Sequence, residues 1–454
     1  ISRHAMERIN LRLVERSLQI PTRWDRNILS DIRDSVSEHL GGDSIPVRFI
    51  VSESSGRYMS VEVGVLEPTN SETLPAMPNI FHLAKRSWEN TDSFNAVFIV
   101  PTGIGAEIGG HAGDATPVAR MLAQVCDTLI THPNVVNASD VNEMPDNGLY
   151  VEGSVLSRLL MGTVGLRRTR SNRVLVALDA FHDARWVDSA INAVNAARST
   201  YGLETPGIVV LDEPLQLMSE YADSGRATGE VAGLDGLLRA FDQQRGRFDA
   251  VAVASSVEVP VAWHMEYFSS SGEMVNPWGG VEALLTHAAS SIYNVPTAHA
   301  PMMESDEVAA VDPGVVDPRM AAEIISITFL QCVLKGLQKS PRMVTDPQHM
   351  IAPGTITASD VSCLVIPDGC IGLPTLAALE QGIPVIAVRE NRNLMRNDLA
   401  NLPWNEGQLN IVENYWEAAG VLAALRAGMS PDSVRRPLGP VSRITPTRAQ
   451  KSDG

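Results

Sequence analysis

The chain is short of cysteine, of positive charge and of long apolar runs, and each shortage removes a class of function. Only four cysteines occur in 454 residues, Cys126, Cys332, Cys363 and Cys370, and no two form a CxxC pair. That usage speaks against a disulfide scaffold and for reduced thiols in a cytoplasmic setting. Lys and Arg total 36 against 53 Asp and Glu, for a net charge of −17 and a pI near 5.0. Nucleic acid is therefore not an expected partner, because phosphate binding needs a basic footprint. One basic cluster, Arg167, Arg168, Arg170 and Arg173, precedes an apolar run and reads as a solvated connection. No apolar run approaches the roughly 18 residues of a membrane span. The first residues, ISRHAMERINLRLVERSL, are basic and amphipathic but lack a secretory apolar core.

What is present points to a large α/β protein. A hydrophobic content of 44% supports two or three domains. Residues 5–40 read as two helical pieces. Leu11, Val14 and Leu18 form one stripe ended by Pro21, and Ile28, Ile32, Val36 and Leu40 form another ended by Gly41-Gly42. Two strands, 45–51 and 58–66, complete an N-terminal α+β unit over 1–90. From 91 to 318 strand-like runs at 96–100, 173–178, 207–211 and 250–254 alternate with helical patterns at 117–129, 187–201 and 234–244. That alternation predicts a parallel sheet flanked by helices, with ligands beyond the strands' carboxyl ends. A second α/β segment spans 319–430. It holds a helix over 321–337, strands at 361–366 and 384–388, and a late helix over 415–426. Residues 431–454, rich in Pro, Ser, Arg and Thr, read as a flexible tail.

The chemistry concentrates at strand ends. After the strand at 97–100, Thr102 opens a loop with five glycines, Gly103, Gly105, Gly109, Gly110 and Gly113. Glu107, His111 and Asp114 stand among them, and a helix follows. Glycine admits close backbone approach, and a helix start attracts anions, so the loop is a candidate anion-binding loop. It is neither a Rossmann fingerprint, since position 108 is Ile, nor a Walker A loop, since no Gly-Lys-Ser/Thr follows. His111 and His132 are candidate acid–base groups. His132 lies in a polar island with Asn134 and Asn137. No spacing specifies a metal site; a divalent ion stays open, and no cofactor is identified.

Other strand ends add Asp179, His182 and Asp183, then Asp212-Glu213-Pro214, then Ser255. Asp179 and His182 join the acid–base candidates; Asp183 also fits a helix cap. His264 and the run Asn276-Pro277-Trp278-Gly279-Gly280 add a possible stacking ring and open amides. Asp368, Gly369, Cys370 and Gly372 form a further glycine turn between a strand and a helix, where Cys370 is either a core residue or a thiol activated by the helix start.

That last unit, running on to Glu380 and Ile383-Pro384, resembles the carboxyl-terminal half of glycosyltransferase-B-like proteins and sugar-nucleotide 2-epimerases. The resemblance implies a diphosphate at Gly369 and Gly372 and a ribose at Glu380. A broader resemblance rests on VPTGIGAEIGGHAGDATPVA, THPNVVNASD, NPWGG and DGCIGLPTLAALEQGIPVIAVREN. These strings are similar to the DUF3326 family, whose function is unknown, from Val97 to Asn393. Membership implies no reaction. The expectation is a small-molecule enzyme of isomerase, lyase or hydrolase type, acting on a carboxylate- or phosphate-bearing substrate. A sugar-nucleotide enzyme and a non-catalytic metabolite sensor are the alternatives. Self-association as a homo-oligomer is compatible with the apolar faces.

Overall fold

The computed structural model describes residues 11–24, 27–69, 77–111, 113–136, 143–180, 184–303, 305–310, 312–325 and 329–443. His182, Asp183 and Asn137 lie outside the described residues.

The chain begins with β1 (Leu11–Pro21), α1 (Ile28–Leu40), β2 (Ile45–Ser54) and β3 (Tyr58–Pro68). Then come β4 (Asn95–Phe98), α2 (Thr116–Ala123), β5 (Thr128–Thr131), β6 (Gly148–Tyr150), α3 (Gly153–Leu160) and β7 (Gly165–Arg167). The middle holds β8 (Val174–Leu178), α4 (Ala184–Tyr201), β9 (Ile208–Val210), β10 (Gln216–Tyr221), β11 (Ala227–Ala232) and α5 (Leu234–Gln243). It continues through β12 (Ala250–Ser256), α6 (Val261–Ser269), α7 (Gly279–Tyr293), β13 (Thr297–Met302), α8 (Asp306–Ala309), α9 (Ala321–Ile325) and α10 (Leu330–Lys339). The last part holds β14 (Arg342–Val344), α11 (Pro347–Met350), β15 (Thr355–Ile356), β16 (Val361–Pro367), β17 (Ile371–Gly372), α12 (Leu373–Gln381), β18 (Val385–Val388), β19 (Leu409–Val412) and α13 (Tyr415–Arg426).

Two parallel sheets carry the fold. One has the order β19-β18-β16-β4-β5-β6, the other β13-β12-β8-β9. In the second, period-two alternation divides the core. Leu175, Ala177, Val251 and Val253 pack towards α5 and α7, while Val174, Val176, Ala252 and Ala254 pack towards α4 and α10. A six-stranded antiparallel sheet, β10-β11-β1-β3-β2-β17, joins them, and β14-β7-β15 form a small fourth. Among the described residues no helix is long and apolar enough to cross a membrane.

Several local readings are corrected. The segment carrying Leu11, Val14 and Leu18 is a strand, not a helix: β1 pairs with β3 from Leu11↔Pro68 to Pro21↔Tyr58. The alternating Val61, Val63 and Val65 of β3 need a partner strand, and that pairing overrides a three-residue helical stripe. Helix α2 stops at Ala123, and the β-branched run from Thr128 becomes β5. The span 321–337 holds two helices, α9 and α10, with residues 326–328 outside the described residues. The strand at 96–100 does not share a sheet with those at 173–178, 207–211 and 250–254. It lies between β16 and β5, with Leu364 opposite Val97. The divisions read at residues 90 and 318 therefore both pass through sheets: β1 pairs with β11, β2 with β17, and β4 with β16.

Candidate functional site

A cavity of about 290 Å3 opens where α7 crosses between the sheets. Five of the chain's ten histidines line it: His111, His132, His264, His287 and His299. Glu152, Glu282 and Glu323 line it too, while Val257, Phe268, Met302 and Phe329 supply an apolar wall.

Each imidazole is held by its neighbours. Glu152 precedes α3 and caps it, accepting from the Ser154 N–H at 2.9 Å. Its other oxygen lies 2.6 Å from His287 Nδ1 and accepts from Thr286 Oγ1 at 3.1 Å. Burial pushes the Glu152 carboxyl up, but His287 and the hydrogen bonds outweigh it and hold it below its usual range. His132 stands beside this pair. The Val100 N–H donates to its Nε2 at 3.2 Å, so Nδ1 carries the ring's proton. Burial lowers the His132 pKa to about 4, against a raising influence from Glu152. A Cβ at Gly153 would stand 3.1 Å from His287 Cε1 and 4.0 Å from His132 Nδ1, so glycine leaves room for both rings.

Two more sets face the same hollow. His299 Nδ1 is 3.0 Å from Glu282 Oε1, and its Nε2 is 2.8 Å from Ser255 Oγ. The connectivity is that of a Ser-His-Glu triad, but Ser255 is fully buried and does not line the cavity. Its hydroxyl orients His299 and has no open face for attack on a substrate. On the opposite wall, His111 Nδ1 is 2.6 Å from Tyr267 Oη, which donates to Glu323 Oε1 at 3.1 Å. Tyr267 therefore accepts from His111, giving the order His111 to Tyr267 to Glu323. Burial, then Arg319, lowers the His111 pKa to about 4. Asn276 ties this wall to α7: its Nδ2 donates to Glu323 at 2.9 Å and its Oδ1 accepts from the Trp278 N–H at 3.0 Å.

The glycine loop is fastened rather than open. Asp114 Oδ1 accepts from the Gly109 and His111 N–H groups at 2.8 and 3.3 Å, and Asn391 takes the Ile108 N–H at 2.8 Å. Asn134 Nδ2 donates to the Val100 and Gly109 carbonyls at 2.8 and 2.7 Å. Burial raises the Asp114 pKa to about 7. Among the described residues no group of three or more His, Cys, Asp or Glu is placed to hold a metal ion.

Residues 95–435 match the family described as a protein of unknown function, DUF3326. The chain belongs to that family. It is also 37% identical over 343 residues to an uncharacterized lipoprotein of a Synechococcus strain, covering 75% of this chain and 92% of the relative. No solved structure matches.

Of the residues singled out in this DUF3326 chain, Thr102, Gly103, Gly110, His111, His132, Asn134, His264, Asn276, Trp278 and Gly279 line the cavity. Gly105, Glu107, Gly109, Asp114, Asp179, Ser255 and Gly280 do not. Glu107 pairs with Arg319 and Arg392 near the surface. Asp179 accepts from the Ala180 and Leu215 N–H groups, both at 2.8 Å, which makes it a turn former. The glycine turn at 368–372 is outside this cavity, although Cys370 and Gly372 line a smaller hollow beside it. Gly372 pairs with Ile50 of β2, and Glu380 accepts from the Leu29 N–H at 3.2 Å, so helix α1 occupies the position of the implied ribose contact. Asp368 accepts from the Gly369 N–H at 2.9 Å, and neither residue lines this cavity or the smaller hollow. Cys370 is a core residue: burial raises its thiol pKa, which disfavours the thiolate and corrects the activated-thiol reading.

The sequence reading missed Glu152, Tyr267, Glu282, His287, His299 and Glu323. One signal was available: Glu282 and His287 sit on the helix that opens at the Gly279-Gly280 pair. The strand before Glu152 is only three residues long and gives almost no periodicity.

Proposed function

We propose that this DUF3326 protein is a small-molecule enzyme that moves a proton at carbon, an isomerase or a lyase, on a carboxylate- or phosphate-bearing substrate. The observation that carries the reading is the His287–Glu152 contact of 2.6 Å beside a buried, neutral His132. The Glu152 charge beside Nδ1, close enough for an ion pair but without hydrogen-bond alignment, favours the tautomer with its proton on that side and leaves Nε2 as the basic atom. His287 is then the base. His132, donating from Nδ1, holds the oxygen of a neighbouring carbonyl as charge develops on it; a neutral imidazole does this without surrendering its proton. His111, backed by Tyr267 and Glu323, is a second titrating group on the opposite wall, and the proton that His287 takes from carbon is returned by His287 itself, to a neighbouring carbon or to the leaving group. The apolar wall excludes water and strengthens each of these interactions.

Solvent exchange tests the proposal. The purified full chain is incubated in deuterated water with carboxylate and phosphate metabolites, and mass spectrometry identifies any that gains deuterium at carbon. His287→Asn should slow that exchange by about 10²–10⁴-fold. Exchange that persists unchanged in His287→Asn refutes the assignment. Tight binding of a metabolite with no exchange or product makes the protein a sensor instead.

A cytosolic setting belongs to the same proposal and rests on the absence of any disulfide among the four cysteines. The Synechococcus relative's name contains the word lipoprotein. Fractionation of the native protein decides: recovery with membranes removes the cytosolic reading.

A further inference from the structure

A second hollow, of about 100 Å3, lies behind the first. Thr102, His132, Gly153, Ala283 and His287 line both, so the two imidazoles stand in the wall between the chambers. Their charge differs. Among the described residues no lysine or arginine lines the larger chamber, whereas Arg48 and Arg158 line the smaller.

Neither guanidinium has a carboxylate partner within ion-pair distance among the described residues. Arg48 is only 8% exposed and donates to two neutral acceptors, the Gly280 carbonyl at 3.2 Å and the Thr102 carbonyl at 3.0 Å. Arg158 gives one Nη to Asn294 Oδ1 at 2.7 Å, while its other Nη is buried without any acceptor. The acids whose charge reaches Arg48 are already engaged, Glu62 with Arg226 and Ser224, and Glu152 with His287, Ser154 and Thr286. A buried cation without a counter-ion is costly, and a buried guanidinium nitrogen without an acceptor adds to that cost. The start of α12 also lies at this chamber, through Gly372, Leu373 and Pro374. No side chain caps that helix, so its end favours negative charge.

We propose that the smaller chamber is an oxyanion subsite: it holds the carboxylate or phosphate group of the ligand between Arg48, Arg158 and the start of α12. The anion accepts from the unpartnered Arg158 Nη and offsets both charges. The ligand then extends past His132 and His287, so that its reacting carbon enters the larger chamber. This assignment rests on the acid–base reading for what lies beyond that wall, but the subsite stands or falls by anion binding alone.

The test is calorimetric titration of the full chain with inorganic phosphate and, separately, acetate, at constant ionic strength. The wild type should bind at least one of them, and which one distinguishes a phosphate from a carboxylate ligand. Arg158→Gln should weaken that binding about tenfold or more, with partial recovery in Arg158→Lys. Arg392→Gln, which removes an exposed cation remote from both chambers, should leave it unchanged. If Arg158→Gln fails to fold, Arg48→Lys serves in its place, since it keeps the charge but not the forked geometry. Failure of the wild type to bind either anion up to about 20 mM overturns the subsite, as does an affinity unaffected by the Arg158 and Arg48 changes. Deuterium exchange lost in His287→Asn, with anion binding indifferent to Arg158, would remove the subsite and leave the acid–base reading standing. Arg158-dependent binding with exchange unaffected in His287→Asn would do the reverse.

Discussion

Replacing His132 with glutamine should flatten the acid limb of the protein's stability curve. A glutamine carbonyl can take over the hydrogen bond from the Val100 N–H that Nε2 now accepts, but it cannot titrate. In the folded chain the His132 pKa is near 4, against 6.5 when unfolded. Between those values the unfolded chain binds a proton that the folded chain refuses. The stability owed to this difference is complete above pH 6.5 and is lost as pH falls towards 4. Over 2.5 units at about 1.36 kcal/mol each, the loss is about 3 kcal/mol. His111, also near 4, contributes in the same direction. Asp114 opposes both: with a folded pKa near 7 it favours the folded state at low pH, and that contribution is lost as pH rises towards 7. The wild-type curve is therefore a sum of opposed parts, and only a difference isolates His132. Urea unfolding of wild type and His132→Gln at pH 7 and pH 4.5 supplies it. The variant should lose less stability on acidification by about 2–3 kcal/mol. Equal losses in the two proteins would mean that His132 is not held neutral, and its role as a proton-retaining donor would fall.

Glu152→Gln keeps an acceptor for the Ser154 N–H but removes the charge behind His287. Turnover on the substrate found by exchange should fall about 10²-fold or more with KM little altered, and equal turnover contradicts the pairing. Arg226→Met leaves Glu15 and Glu62 buried without the cation that now joins them. Chemical denaturation should register a loss of about 3–5 kcal/mol, and an unaltered midpoint would show that the triad contributes nothing. Gly280→Ala drives a Cβ to within 2.2 Å of the Ala227 carbonyl oxygen, so α7 must retreat from β11. Thermal unfolding should show a loss of about 3 kcal/mol, and a stability equal to wild type would exclude that contact. Tyr267→Phe breaks the link between His111 and Glu323 while keeping the ring; the pH–rate profile should shift on the limb owed to His111, and an identical profile would remove Tyr267 from the relay.

Much of the scaffold was legible. The stripe of Ile28, Ile32 and Val36 marked α1 because all three face one core, and the runs at 173–178, 250–254 and 361–366 marked strands because parallel strands are buried on both faces. Which strands meet was not legible. Val97 lies opposite Leu364, and no local pattern spans that separation. The site shows the same division. His111, His132 and Trp278 announced themselves by standing next to glycine or proline, and His264 by the Trp263 beside it and the Asn276–Gly280 run that follows. His287 and His299 did not, because each lies within a regular element whose apolar neighbours read as core. Glu152 stands out only once α3 is known to begin behind it.

Glycine density drew attention to this loop as a place for an anion, and the structure adds a second physical reason for the glycines. Three of the loop's amides, those of Ile108, Gly109 and His111, are taken by Asn391 and Asp114. What the glycines permit is contact between backbones. Gly103 accepts from the Ala227 N–H at 2.9 Å, and a Cβ there would lie 2.6 Å from the Ala227 carbonyl oxygen, the same atom that Gly280 crowds from α7. The loop, β11 and the start of α7 thus close on one carbonyl, and Arg48 ties the first to the last through Thr102 and Gly280. A guanidinium in that position has two consequences. It fixes the loop against the helix that carries Glu282 and His287, and it leaves a positive charge facing the smaller chamber. Rigidity of the histidine wall and attraction for an anion behind it therefore come from the same side chain. Loop, helix and anion subsite are on this account mechanically coupled, so a ligand that neutralises Arg48 also acts on the contacts that hold His132 and His287 in register.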